Sequence, residues 1–464
     1  MLKHFFTNSF GILTSRVLGF VRDLMIAASL GAGIWSDIFL VAFKLPNLFR
    51  RMFGEGAFVQ AFLPNFVKAK QKSLFLSEIL FKFIAIMLSL SAFVMIFAPF
   101  VTKLIAYGFD DATLALAVPL VRINFWYLIC IFVVTLFASV LQNKNHFATT
   151  AFGTALLNVA MILALILSKN LEQSKIVYWL SYGVVIGGIL QVIVHILAMI
   201  KLNLWRLVML GLAQFFKGKR AGIKGFWINF SQGIIGSSAM QVSDFVSTII
   251  ASFLVSGSIS YLYYANRIFQ LPLGIFAIAL ATTIFPKITR QIKLGSEKEA
   301  LNLLKKAFNI LFFLLLFSAV GGAVLSKEII WLLFERGEFS AQNTSEAAIV
   351  LSMAMIGLVP FGLYSLFSKW LYAKFKQKQA AKISVYSLFV NVGLSLALFS
   401  FGAAGLALAG SLSGLFLFLS AVKIFGFKDF LAIIWSKKTL LSIILAIIFG
   451  IFLYYLKVFI YANL

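Results

Sequence analysis

Two arginines, Arg16 and Arg22, interrupt an otherwise apolar opening stretch, and Lys44, Arg50 and Arg51 follow it with Asp23, Asp37 and Glu55 close by. Arg267 repeats the feature in the second half of the chain. A charge near the centre of a bilayer costs at least about 2.5 kcal/mol, so such side chains face a cavity or a partner. Guanidinium groups meet phosphate oxygens in bidentate fashion. The cationic excess of this set predicts an anionic ligand, because a cavity for cationic drugs would be lined by acids. Arg16 and Arg22 are six residues apart, so on a helix their directions differ by about 120°. They can border one wide aqueous cavity without sharing a face.

The elements that must hold these groups are membrane helices. Of 464 residues, 62% are hydrophobic and 12% charged, against roughly one-quarter charged in soluble domains. Lipid accepts such a chain only if its backbone satisfies itself, and the long apolar runs favour helices over the alternating strands of a barrel. At about 20 residues per crossing, the expected spans are 5–30, 35–66, 74–102, 113–141, 146–168 and 176–200. A second set covers 226–254, 258–289, 299–326, 344–373, 379–400 and 403–424, and one more lies at 440–461. Residues 427–436 are too short to span and fit the interface. The opening 30 residues read as the first span, not a cleaved signal, because Arg16, Arg22 and Asp23 interrupt the apolar core.

Net charge of +25 raises the question of nucleic acid, but the basic residues cluster between apolar runs. With a cytoplasmic N-terminus, 26 Lys and Arg fall in inner segments and six in outer ones, the asymmetry expected of membrane topology. Lys82 and Arg122 lie near helix ends, where long side chains snorkel. Asn8, Val21 and Asp23 recur as Asn229, Val242 and Asp244, and Leu63-Pro64 resembles Phe285-Pro286. With the six-helix period of the hydropathy this predicts two lobes, 1–201 and 226–425, in one orientation. An amphipathic linker at 202–225 joins them, and 426–464 holds the interfacial segment and last helix. Pro46 and Pro64 in the second span match Pro272 and Pro286 in the eighth, as kinks that can flank a transport site.

Several blocks carry a resemblance. Ser15-Arg16-Val17-Leu18-Gly19-Phe20-Val21-Arg22-Asp23, Ser36-Asp37-Ile38-Phe39 and the run Phe43 to Phe58 are similar to the signature of the MurJ (MviN) lipid II flippases. Ala251 to Ser258 and Tyr263-Tyr264-Ala265-Asn266-Arg267 resemble the second-lobe counterparts. The resemblance implies the all-helical, V-shaped fold of the MOP exporter superfamily in a bacterial cytoplasmic membrane. It also implies outward flipping of an undecaprenyl-diphosphate-linked peptidoglycan precursor for wall growth and cell shape, beside the wall-synthesis machinery. Carried over by motif, the substrate-binding residues are Arg16, Arg22, Arg50, Arg267 and Asp37, with Arg51, Lys44, Asp23 and Glu55 as secondary candidates. Asn266 stands where relatives often have an acid. One helix follows the second lobe where the family typically has two.

The alternatives are another MOP-type exporter, such as an oligosaccharide flippase or drug antiporter, and a membrane sugar-phosphate transferase. The transferase would need clustered acids for Mg²⁺, whereas Glu297, Glu299 and Asp429 are scattered among lysines. No resident cofactor is expected. The family suggests a monovalent cation such as sodium in the second lobe, with Asp244 and Asn391 as candidate donors. An anionic headgroup leaving the inner side gains about 2.3 kcal/mol per charge per 100 mV, so membrane potential is the expected drive.

The charge count makes a topological prediction. A cysteine placed within 217–224, in a chain whose one cysteine, Cys130, is replaced by serine, should react with a membrane-impermeant thiol reagent only once the cytoplasmic face is opened. Labelling in intact cells would invert the orientation.

Overall fold

The computed structural model describes residues 2–51 and 57–462, with side chains from residue 10 and without those of 235–240. Every regular element among them is helical. Contacts divide the chain into two compact units, Met1–Phe253 with Arg336–Glu338, and Leu254–Glu335 with Phe339–Leu464.

The first unit opens with α1 (Leu2–Leu30), which stops at Gly31, a glycine with φ of 63°. It continues through α2 (Ile34–Phe49), α3 (Phe58–Lys68), α4 (Lys72–Ile96) and α5 (Ala98–Ile105). Next come α6 (Asp111–Phe125), α7 (Tyr127–Asn143), α8 (Ala148–Leu167), α9 (Gln173–Lys201), α10 (Trp205–Phe216) and α11 (Lys224–Ala251). Among the described residues ten helices are long and apolar enough to cross a membrane. The expected spans 5–30, 35–66 and 226–254 are outside that set and correspond to α1, α2 with α3, and α11. The first two carry Arg16, Arg22, Arg50 and Arg51, whereas Arg267 lies in a span of that set. The expected span 35–66 ends its first helix after Pro46, with a wide π-like turn at Arg50 and Arg51. Spans 74–102 and 113–141 are likewise each two helices, interrupted at Phe97 and Trp126.

Small residues set the helix spacing. Gly11, Ser15 and Gly19 recur every four residues on α1 and let α8 approach, so that a Cβ on Gly11 would come within 2.6 Å of the Cβ of Ala151. Close backbone approach of this kind drives helix association where lipid offers no hydrophobic advantage. Elsewhere the packing is aromatic. Phe83 stacks on Phe132 at 4.5 Å and on Trp227 at 4.8 Å, while Phe58 meets Phe226 and Phe230 edge-on. This cluster seats the N-terminal half of α11 on α3, α4 and α7, and so α11 packs as part of the first unit.

The linker is also tied to this unit. α10 lies on α4, where the Ser77 hydroxyl donates to the Val208 carbonyl at 3.0 Å and buried Glu78 accepts from the Ala221 amide at 2.7 Å. Lys82 balances Glu78 at 2.7 Å. Met209, Leu210 and Phe216 stay exposed on the opposite side, the pattern of a helix lying along a membrane interface.

In the second unit α12 (Ser258–Pro272) runs through a π-helical turn, Leu273–Ile278, into α13 (Ala279–Lys293). Pro272 explains the widened turn, since it withholds a backbone donor. α14 (Glu297–Val324), α15 (Ser326–Phe334), α16 (Ala341–Ile356), α17 (Leu358–Ala373), α18 (Gln377–Ala397) and α19 (Gly402–Phe425) follow. The interfacial segment is α20 (Phe427–Ile434), and the last described helix is α21 (Lys437–Ala462). α21 buries Thr439, Ser442, Ala446 and Leu453, one stripe at helical spacing, and exposes most of its remaining apolar surface. Its far end is pinned by Lys457 on Glu328 at 3.0 Å, with Tyr461 donating to the same carboxylate. Burial raises the Glu328 carboxyl, but Lys457, a backbone amide and Tyr461 together outweigh it and leave the group below its ordinary pKa.

Gly211 faces the Ser73 carbonyl so closely that a Cβ would overlap it. Gly211→Val should therefore lift α10 from α4 at a cost of about 1–3 kcal/mol. A lower melting temperature in detergent and faster proteolysis within 217–223 are the expected readouts, and an unchanged melt would contradict the contact.

Candidate functional site

The best-held charge in the first unit is Arg22. It lies on the face of α1 turned to α8, with 7% of its surface exposed. Its Nε and Nη2 donate to Asp23 Oδ1 at 3.1 and 2.7 Å, and its Nη1 donates to Asn158 Oδ1 at 2.9 Å. Asn158 is itself fixed, because its Nδ2 donates to the Ser15 carbonyl at 3.0 Å. Asp23 is 1% exposed. An ion pair this buried repays its desolvation only when further hydrogen bonds complete it, and Asn158 supplies one. Asn158 was not anticipated from the sequence. Its signal was a lone carboxamide in the otherwise apolar helix 148–167, a costly residue unless it has a polar partner.

Arg16 lies on another face of α1, as the six-residue spacing predicts. It is exposed and makes no ion pair or hydrogen bond with the described residues. Asp37, in the first turn of α2, is buried at 4% exposure. At the other end of α2, Asn47 Oδ1 accepts from Arg50 Nε at 3.2 Å and Nη2 at 3.1 Å. Glu55, a candidate partner here, lies outside the described residues.

Lys44 and Arg51 have a different acid. Lys44 Nζ stands 2.9 Å from Asp244 Oδ2 of α11, and Arg51 Nη1 is 3.9 Å from the same oxygen. A small recess there is lined by Lys44, Asn47, Leu48, Arg51, Gln241 and Asp244. In this arrangement the cation beside Asp244 is an ammonium. Asn391 belongs to the second unit, buried at 7% exposure on α18 facing Gly410. Among the described residues no three His, Cys, Asp or Glu side chains cluster as metal ligands would.

In the second unit Arg267 lies on α12 with its guanidinium carbon 4.7 Å from the centre of the Tyr263 ring, and Nη2 donates to the Tyr263 hydroxyl. One helical turn thus presents the ring face and phenol oxygen to a single guanidinium. Tyr263 belongs to the Tyr-Tyr-Ala-Asn-Arg block, and Asn266 beside it is exposed. His146 bonds Thr149 Oγ1, and His195 Nδ1 bonds the Gln191 carbonyl while its Nε2 is buried without a partner. Cys130 packs against Gly188.

Known proteins resemble this chain over most of its length. The family model described as lipid II flippase MurJ matches residues 26–463. A probable lipid II flippase MurJ of Helicobacter pylori strain J99 is 48% identical over 427 residues, covering 89% of this chain and 93% of the relative. One from Buchnera aphidicola of Acyrthosiphon pisum is 33% identical, covering 89% and 81%. Among solved structures, a lipid II flippase MurJ in an inward closed conformation superposes with a TM-score of 0.80 at 26% identity, covering 98% of each chain. An inward-facing multidrug transporter of the MATE family and MOP superfamily gives 0.69 at 13% identity, covering 91% and 96%, a likeness of fold.

The Arg22 geometry predicts the effect of losing its carboxamide. Asn158→Ala removes a hydrogen bond to a buried charge, a loss of about 1.5–3 kcal/mol. The melting temperature in detergent should fall by several degrees and recover in large part with Asn158→Gln. An alanine variant as stable as the unmodified chain would refute the bond.

Proposed function

The chain belongs to the MurJ family of lipid II flippases, and on that premise we propose that it binds the diphosphate of lipid II through Arg16, Arg22, Arg50 and Arg267. It is a multi-pass protein of the bacterial inner membrane and a transporter, not an enzyme. The cargo, an undecaprenyl-diphosphate-linked peptidoglycan precursor, passes from the inner to the outer leaflet by alternating access, with the N-terminus in the cytoplasm.

The observation that carries the assignment of residues is the buried guanidinium of Arg22, oriented by Asp23 and Asn158. Such a group loses little freedom when a phosphate arrives, so binding forfeits less entropy. Arg16, exposed and unengaged, supplies a charge with no internal partner to give up. Arg267 has its guanidinium held against the Tyr263 ring before any ligand arrives. Asp37, buried in the first turn of α2, positions an arginine or gates the cavity. Membrane potential drives the outward step of the anionic headgroup, and the fixed positive charges favour return of the empty carrier toward the negative side.

The test is replacement of the endogenous protein in a depletion strain, with protein levels checked and lipid II on the outer leaflet measured. Arg16→Ala and Arg267→Ala should each reduce outer-leaflet lipid II at least tenfold. Lysine at either position should restore only part of it, because an ammonium lacks the guanidinium fork. Full exposure of lipid II by both alanine variants would overturn the assignment.

A further inference from the structure

Lys44 and Arg51 are seven residues apart, about two helical turns, and so address nearly the same side of their segment. What they address is one oxygen. Asp244 Oδ2 lies 2.9 Å from Lys44 and 3.9 Å from Arg51. A carboxylate oxygen shared by two basic side chains occupies the position that an oxygen of a bound phosphate would take. The remaining lining is suited to the same ligand. Asn47 turns its oxygen to Arg50, leaving its amide hydrogens as donors, and Gln241 adds a second carboxamide.

We propose that Asp244 is an internal counter-anion occupying a phosphate subsite formed by Lys44, Arg51, Asn47 and Gln241, and that the anionic headgroup of the substrate displaces it. The inference rests on the function proposed above and adds an exchange step to it. Three physical points support the exchange. The Asp244 side chain is 48% exposed while Lys44 is 19% exposed, so the acid is the partner that can swing into water. Ion pairs with one side in solvent contribute little net stability, so displacement costs little. A diphosphate brings several anionic oxygens and can satisfy both cations together, which a single carboxylate oxygen at 2.9 and 3.9 Å does unequally.

The exchange gives binding a mechanical consequence. Asp244 is on α11 and its two cations are on α2 and the turn after it, so transfer of Lys44 to the substrate breaks a bond between these segments. In the empty state the carboxylate keeps two membrane-depth cations from being left without a counter-charge.

The experiment uses the full-length protein in detergent at low ionic strength, with inorganic diphosphate as probe and equilibrium binding by calorimetry. Asp244→Asn, close to isosteric at a half-exposed position, should bind diphosphate about five- to tenfold more tightly than the unmodified chain. Asp244→Ser should show the same gain, which guards against an effect peculiar to the amide. Adding Lys44→Gln to either should abolish it. Equal affinities in the unmodified protein and both Asp244 variants would overturn the proposal and make the Lys44–Asp244 pair a structural bond only. Lipid II flipping in proteoliposomes separates the two readings. Equal diphosphate affinities with normal flipping sink the exchange alone, whereas absence of flipping by the unmodified protein removes the parent function.

Discussion

The hydrogen-bonded unit of Asp23, Arg22 and Asn158 is the interaction on which the first unit's organisation turns. A guanidinium cannot be carried between helices in lipid without acceptors on more than one side. Here one acceptor comes from the adjacent residue and the other from α8. That demand fixes the distance between α1 and α8, and the glycines and serine at positions 11, 15 and 19 make the distance attainable. The amide of Asn158 closes the arrangement onto the α1 backbone at Ser15. Charge, helix spacing and small-residue pattern are thus one solution to one constraint.

The same constraint explains how the other membrane-depth charges are held. Buried and half-buried cations are given partners that leave them oriented, as with Arg22 on Asn158, Arg50 on Asn47 and Arg267 on Tyr263. Lys44 and Arg51 share an acid from a distant part of the sequence, and Arg16 is exposed.

Much of this was legible in the sequence because lipid makes polar residues conspicuous. The arginines of α1, α2 and α12 stood out against apolar surroundings, and helix ends such as Gly402–Phe425 and Lys437–Ala462 fall within a few residues of the hydropathy limits. The resemblance to the MurJ family named the cargo, which no periodicity could have done. Less legible were the partners. Asn158, Asn47 and Gln241 are neutral amides whose importance depends on which helix face they occupy, and hydropathy carries no information about faces. Asp244 was read as an oxygen donor for a cation, but its surroundings depend on the seating of α11. That seating is decided by Phe226, Trp227 and Phe230 against Phe58 and Phe83. In a chain with 52 phenylalanines, nothing marks which of them meet.

One contact bears on how such a chain is made. The Ala28 carbonyl, near the end of α1, accepts from the Glu338 amide at 2.9 Å, and Gly337 sits against it with φ of 60°. Glu338 also takes a hydrogen bond from Gln173 at 2.8 Å. α1 therefore waits for a tripeptide translated long after every other part of its own unit. During biogenesis the first unit enters the membrane with its α1 terminus unfinished, and the ribosome must pass α15 before that carbonyl meets its lasting donor. A chain stalled or cleaved before this loop would release a first unit complete in helices and still lacking its final stitch.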